Sequence, residues 1–280
     1  GSLISVSYLE GYWINVNEDD KLCLIGAPMP PEQNYSLHSG SNLISYPCSE
    51  CGYIDEVLPD NIETCINSIQ SEGIASMNME EIGWIGSLTT LCKDTGYWFN
   101  SECGISLTYD CPESQARSIT FSTPPYPYYQ SSKQAFYFIK SVENIEMGDW
   151  ILAYSGDNVI GARQWHGSIT DVPAMGDDGT DYTKGYMEAD GIPEFKLLSG
   201  GKIIDLEGDI PAFKENQVYI VSTLTKSIAT SEEFSLSRAY PNPFNPVTTV
   251  RFAIPIESEV SLSIYNLQGR EVSTLIDANI

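Results

Sequence analysis

Basic residues are scarce in this chain of 280 residues: 14 lysines and arginines stand against 38 aspartates and glutamates, for a formal net charge of −24. A surface this acidic repels the phosphates of nucleic acids and the headgroups of anionic lipids, so we expect neither as a partner. Such a surface suits a protein that works outside the cell, and it can attract divalent cations.

Long apolar runs are also missing. No stretch approaches the length of about 20 residues that a transmembrane helix needs, so we expect no membrane insertion. Residues 1–15 lack the basic start and the continuous apolar core of a signal peptide. If the chain is exported, we expect its signal to lie upstream of residue 1.

Histidine is rare, and no motif of a known catalytic class accompanies it. The two histidines are His38 and His166. His166 and Asp171 could join one of many serines in a triad, but no Gly-x-Ser-x-Gly elbow supports it. Because 38 acidic residues offer many possible carboxylate pairs, the sequence singles out none of them as the catalytic pair of a glycosidase. P-loop, dinucleotide-binding, HExxH and c-type haem motifs are absent. We therefore expect no enzymatic activity.

No cysteine follows residue 111. The seven that precede it are Cys23, Cys48, Cys51, Cys65, Cys92, Cys103 and Cys111. This number predicts disulfides and an oxidising compartment, and an odd count leaves at least one cysteine over. Zinc on Cys48 and Cys51 is the alternative, but no second pair has the spacing that a zinc site requires.

An internal repeat occupies the first part of the chain. Residues 1–3 and 11–15 match residues 86–88 and 96–100 at the same offset of 85. We therefore interpret the N-terminal segment as the end of a repeat unit without its beginning. It comprises residues 1–27.

Residues 35–111 form a complete unit of this repeat. Apolar residues at helical spacing predict a helix within residues 54–69. Short apolar runs predict strands at residues 42–47, 73–77, 82–88, 96–99 and 105–109. The patterns NLISYP, W-x-GSL and GYWF resemble a repeat of secreted proteins, and this resemblance implies no activity.

Residues 112–226 read as a β-sandwich. Strands are predicted at residues 134–139, 149–154, 159–165, 193–198 and 217–222, with a hairpin turn at residues 155–158. The run GDWILAYSGDNVIGARQW resembles a β-sandwich module of surface proteins.

An acidic, glycine-rich loop in this region contains Asp177, Asp178 and Asp181. Calcium binds six to eight hard oxygens from loops of this composition, although the EF-hand register is absent. An ordinary acidic surface turn is the alternative, and the sequence favours it. Calcium is the one cofactor that the sequence leaves open.

Residues 234–280 predict a small antiparallel β domain behind a proline-rich entry. The entry motif consists of Tyr240, Pro241, Asn242, Pro243, Phe244, Asn245 and Pro246. Alternating apolar residues then predict strands at residues 250–254, 260–265 and 272–275. This pattern resembles the C-terminal sorting domain of type IX secreted proteins and the immunoglobulin-like domain of flagellar hook-capping proteins. The resemblance implies contact with the secretion machinery and display at the cell surface or release, without implying an activity.

Together these features predict a mostly β chain with minor α content, built from tandem β-rich modules, a middle β-sandwich and an incomplete immunoglobulin-like domain. We expect a non-catalytic extracellular surface protein with a structural or adhesive role. Because both terminal modules look incomplete, we expect a homo-oligomer or filament in which copies complete each other by strand exchange. The alternative is a glycan-binding module of a secreted degradative enzyme. Its stacking platform would be formed by Trp165, Tyr126, Tyr128 and Tyr129.

Overall fold

The structure is a computed structural model. It describes residues 6–7, 9–14, 30, 32–79, 81–113, 116, 123–227, 235–236, 248, 250, 252–256, 258–266 and 268–279. The chain divides into two compact units, Gly1–Lys226 (unit 1) and Ser227–Ile280 (unit 2). Strands account for 47% and helices for 4% of the described residues, which confirms the mostly β prediction.

Residues 34–111, which we call the repeat domain, contain nine strands and two helical turns. In chain order they are β1 (Asn34–Leu37), β2 (Gly40–Ser45), β3 (Gly52–Tyr53), α1 (Ile54–Val57), α2 (Asp60–Glu63), β4 (Ile66–Ser71), β5 (Ile74–Met79), β6 (Gly83–Gly86), β7 (Thr90–Leu91), β8 (Gly96–Ser101) and β9 (Ile105–Thr108). Five of them form an antiparallel sheet in the order β2-β8-β4-β5-β6. Buried aromatic rings fill the core, and Tyr109 meets Tyr35, Tyr46 and Phe99 edge to face.

The helix predicted within residues 54–69 is wrong in extent. Helical structure is confined to α1 and α2, because Leu58 precedes Pro59 and takes an extended conformation with ψ of 131°. After α2 the chain enters β4, where Ile66 and Ile69 are buried in the sheet. The apolar spacing of Ile66 and Ile69 is also that of a helix, and β4 gives no contrary signal, because it is buried at five of its six positions and lacks the alternation of a half-exposed strand.

Three disulfides join the repeat domain: Cys48–Cys111, Cys51–Cys92 and Cys65–Cys103. The prediction of disulfides is therefore confirmed. Cys48 and Cys51, the two cysteines considered for zinc, are both disulfide-bonded to other cysteines. The seventh cysteine, Cys23, lies outside the described residues.

The repeat recurs in local structure as well as in sequence. The Tyr97 hydroxyl accepts a hydrogen bond of 2.7 Å from the Cys92 N–H, five residues earlier. At the offset of 85, the Tyr12 hydroxyl accepts a bond of 2.7 Å from the Ser7 N–H. The N-terminal segment thus repeats the turn that leads into β8.

Residues 123–226, which we call the sandwich domain, contain eight strands. They are β10 (Gln134–Ile139), β11 (Trp150–Ser155), β12 (Asn158–Gln164), β13 (Thr170–Met175), β14 (Glu194–Ser199), β15 (Lys202–Glu207), β16 (Val218–Val221) and β17 (Thr225–Lys226). They form one sheet in the order β13-β10-β16 and another in the order β12-β11-β14-β15-β17. The predicted hairpin between β11 and β12 is confirmed, and Gly156 supplies its positive φ of 57°.

In unit 2, β18 (Ser235–Leu236) pairs with β19 (Phe252–Ala253), and β20 (Glu259–Tyr265) pairs with β21 (Glu271–Asn279). Both strand pairs among the described residues of unit 2 are antiparallel, as predicted. The turn between β20 and β21 is held by the Asn266 side chain, which accepts hydrogen bonds from the N–H groups of Gln268 and Arg270. The proline-rich entry motif at residues 240–246 lies outside the described residues.

Candidate ligand-binding cleft

Unit 1 contains a cleft of about 470 Å³ between the repeat domain and the sandwich domain. One wall is the turn between β4 and β5, a second is the proline- and tyrosine-rich segment 123–130, and the third is the end of β12 with the start of β11. The lining residues are Glu72, Gly73, Ile74, Thr123, Pro124, Pro127, Tyr128, Gln130, Trp150, Ala162, Arg163, Gln164 and His166.

A buried ion pair lies behind the cleft and connects the two domains. Arg163 on β12 contacts the Asp171 carboxylate at 3.2 Å and donates from Nε to the Asp171 carbonyl at 2.9 Å. Its Nη2 donates to the Gly73 carbonyl at 2.6 Å, and the Ser87 hydroxyl donates to the Asp171 carboxylate. Burial raises the pKa of Asp171, although Arg163 and Ser87 oppose the shift. This network fixes the β4–β5 turn against the sandwich.

The β4–β5 turn requires glycine at residue 73. Gly73 has a φ of 67°, and a Cβ there would lie 2.8 Å from the Gln130 amide nitrogen. Its N–H donates to the Gln134 side-chain oxygen, and the Gln134 amide donates to the Ser71 carbonyl. The wall from the repeat domain is therefore hydrogen-bonded to the sandwich from both ends of the turn.

Tyr128 connects the proline-rich wall to β12. It is half-buried and packs against the core of the sandwich. Burial raises the pKa of Tyr128, although the nearby Arg163 cation opposes the shift. Pro124 and Pro127 restrict the backbone on either side of Tyr126, so this wall is stiff before any ligand arrives.

Trp150 and Gln164 form the third wall. They are directly opposite each other on β11 and β12, which places their half-buried side chains on the same face of the sheet. The Gln164 amide donates to the Gly148 carbonyl at 2.9 Å, which orients the side chain. Its remaining hydrogen-bonding capacity is available to a ligand.

The cleft holds few groups that could take part in acid–base or nucleophilic chemistry. His166, Glu72 and the hydroxyl of Thr123 line it, and no serine or cysteine is among the described residues that do so. His38, the other histidine, is far along the chain in a loop where its Nδ1 lies 2.7 Å from the Ser39 carbonyl. Within the described ranges there is no group of three or more His, Cys, Asp or Glu side chains that could hold a metal ion.

The four aromatic residues predicted as a stacking platform do not share one exposed surface. Trp165 is only 7% exposed and belongs to the core of the sandwich. Tyr126 and Tyr129 are exposed, and Tyr129 packs against Tyr182 at a centroid distance of 5.1 Å. Tyr128 alone of the four lines the cleft. Trp150 was not among the predicted residues, although the register of the predicted hairpin places it opposite Gln164.

The acidic loop is organised by its own carboxylates. Asp178 accepts hydrogen bonds from the hydroxyls of Thr180 at 2.8 Å and Thr183 at 2.6 Å. Partial burial acts to raise the pKa of Asp178, but these bonds prevail and lower it to about 2. Asp177 accepts from the N–H groups of Gly179 and Gly185. Asp181 is exposed. Calcium binding by this loop stays a prediction.

Residues 238–279 match the family model of the secretion system C-terminal sorting domain. The predicted type IX sorting tail is thus confirmed at the C-terminus, and the protein is secreted to the cell surface or the extracellular space. Its tail interacts with the type IX secretion machinery. No curated protein and no solved structure matches the chain significantly. Among the described residues, no helix is both long and apolar enough to span a membrane.

Proposed function

We propose that this secreted protein is a non-catalytic adhesin whose unit 1 binds extracellular ligands through the cleft. The sorting tail determines where the protein works, and the cleft supplies a concave site there. Its lining combines aromatic rings and amide side chains, which bind ligands without reacting with them.

The observation that carries the proposal is the rigid junction from which the cleft is built. Besides the Arg163 network, Ala75 and Met77 of the repeat domain pack with Phe136 and Phe138 of the sandwich in one buried cluster. A site whose walls are already fixed loses little conformational entropy when a ligand binds. Such a site suits an adhesin, which must hold a ligand under load.

Retention of coated beads tests this proposal. Beads carrying the intact protein are washed over immobilised mucin, plant polysaccharides and bacterial cells, and we expect stronger retention on at least one of these surfaces than for control beads. The control beads carry the same chain after reduction and alkylation, which has the same acidic composition without the three disulfides. Equal retention on every surface would refute an adhesive role. Turnover of chromogenic esters, peptides or glycosides would refute the non-catalytic assignment.

A structural role through strand exchange between copies is the second candidate. Its support is the hairpin β20–β21, which exposes Val272 at 65%, Leu275 at 54% and Ile264 at 47%. Exposed apolar strands are a common site of pairing with another chain. Light scattering of the intact protein should give a dimer or larger species, and Leu275→Thr with Val272→Thr should shift it towards monomer. A monomer at all accessible concentrations would contradict strand exchange.

A glycan-binding module of a degradative enzyme is the competing proposal. It uses the same cleft and differs in requiring a catalytic partner. Cosecretion or copurification with a glycoside-cleaving activity would favour it over adhesion.

A further inference from the structure

We propose that the cleft binds an uncharged oligosaccharide, with Trp150 and Tyr128 as stacking rings and Gln130 and Gln164 as hydrogen-bonding groups. This inference rests on the proposed binding function and specifies its ligand. The site differs from the platform predicted from the sequence, because it replaces the buried Trp165 with the half-buried Trp150.

The side chains of the cleft match the chemistry of a sugar. A pyranose ring has C–H groups that pack on an aromatic face and hydroxyls that both donate and accept hydrogen bonds around its edge. Trp150 and Tyr128 offer aromatic surface from two different walls. Glutamine amides also both donate and accept, so Gln130 and Gln164 can serve hydroxyls of either orientation.

The charges around the cleft disfavour an anionic ligand. The guanidinium of Arg163 is engaged with the Asp171 carboxylate and the Gly73 carbonyl behind the cleft. Glu72, which is exposed at the rim, adds a negative charge, and the whole chain carries −24. Acidic polysaccharides and phosphorylated ligands would therefore approach against a repulsive field.

The dimensions and stiffness of the cleft also fit a small oligosaccharide. A volume of about 470 Å³ falls inside the range of about 300–1,000 Å³ typical of small-ligand sites. Pro124 and Pro127 on one side and the hydrogen-bonded Gly73 turn on the other hold the walls apart. A sugar chain can thus enter without displacing the buried network.

Isothermal titration of the intact protein tests the inference. The probes are cellohexaose, mannohexaose, xylohexaose and maltohexaose, with an oligogalacturonate as the anionic comparison and a proline-rich decapeptide as the comparison for an extended apolar ligand. We expect at least one neutral hexasaccharide to bind and the oligogalacturonate to bind more weakly. Trp150→Ala should weaken that binding at least about tenfold, which corresponds to about 1.4 kcal/mol. Trp150→Phe should retain most of it.

Two further variants test whether binding takes place in the cleft and whether a loss of binding comes from misfolding. Gln164→Ala should weaken binding several-fold and lower the melting temperature only slightly, because the half-buried side chain lies at the end of β12 and makes one hydrogen bond, to the Gly148 carbonyl. Tyr129→Ala is the matched control, since this exposed ring packs on Tyr182 outside the cleft and should leave binding unchanged. Melting curves identify any variant that fails to fold.

The inference is overturned if no neutral hexasaccharide binds, if the decapeptide alone binds, or if Tyr129→Ala abolishes binding while Trp150→Ala does not. These outcomes differ from failure of the adhesive proposal. If the beads adhere but no oligosaccharide binds in the titrations, only the sugar ligand is refuted. If the beads do not adhere, adhesion itself is refuted.

Discussion

Replacing Arg163 with methionine tests whether the buried network joins the two domains of unit 1. The side chains of Arg163 and Asp171 are 10% and 4% exposed, so Asp171 would be left as a buried carboxylate without its cation. Removing one partner of a buried ion pair typically destabilises a protein by about 3–5 kcal/mol. The Gly73 carbonyl would lose its Arg163 donor as well, and the wall of the cleft would loosen. We therefore expect Arg163→Met to lie in the upper part of that range.

The pH dependence of the stability that Arg163→Met loses gives a sharper test. The folded-state pKa of Asp171 is raised above its ordinary value of 3.8, so the folded state binds its proton more tightly than the unfolded state. Stability is then highest below the unfolded pKa and falls as pH rises towards the folded pKa. Without Arg163 the folded pKa rises further, so the penalty of Arg163→Met should be large at pH 7 and much smaller near pH 4.

Urea unfolding at the two pH values measures both effects, with Arg163→Met/Asp171→Asn as the control. The double variant removes the charge together with its partner, so it should be more stable than Arg163→Met at pH 7 and should lose the pH dependence. A penalty for Arg163→Met under about 1 kcal/mol at pH 7, or one that does not change with pH, would show that the network does not join the domains.

Three further predictions concern the turn, the disulfides and the acidic loop. Gly73→Ala should cost about 1–2 kcal/mol in urea unfolding, because alanine must adopt a positive φ there. Gly156→Ala has a similar φ in open space and should cost about as much, since the Gln130 amide that a Cβ at residue 73 would meet is the end of an exposed side chain that can move aside. No measurable loss for either variant would contradict this. Removing Cys48–Cys111 by double alanine substitution should cost about 4 kcal/mol, given its sequence separation of 63, and an unchanged melting temperature would contradict this. Because the pKa of Asp178 is lowered to about 2, this carboxylate stabilises the fold above its unfolded pKa, and the contribution is lost as pH falls towards about 2. The melting temperature of Asp178→Asn should therefore fall less than that of the wild type between pH 5 and about 2. An equal fall in both proteins would refute this role.

The sequence predicted those elements of the fold whose pattern was local. The hairpin β11–β12 was visible because two apolar strands flank a Gly-Asp turn, and the repeat was visible because identical residues recur at one offset. Strand β13 was not predicted because Asp171 and Pro173, two residue types that are rare inside strands, interrupt its apolar residues. The helix within residues 54–69 was predicted too long because Ile62, Ile66 and Ile69 recur at helical spacing, although Ile66 already begins β4.

The cleft could be predicted only in part, since its walls are distant in sequence. Tyr128 was named, but the contact of Arg163 with Gly73 spans 90 residues and has no sequence signature. Trp165 and Trp150 look alike in the sequence, and only the packing of the two sheets buries one and leaves the other half-exposed.

Retention of beads coated with the intact protein or with Trp150→Ala tests the central claim most directly. On a surface that retains the wild-type protein, we predict that Trp150→Ala beads wash off like beads with reduced and alkylated chain, while Tyr129→Ala beads remain. Equal retention of Trp150→Ala and wild-type beads would contradict the claim that this secreted protein binds its ligand through the cleft.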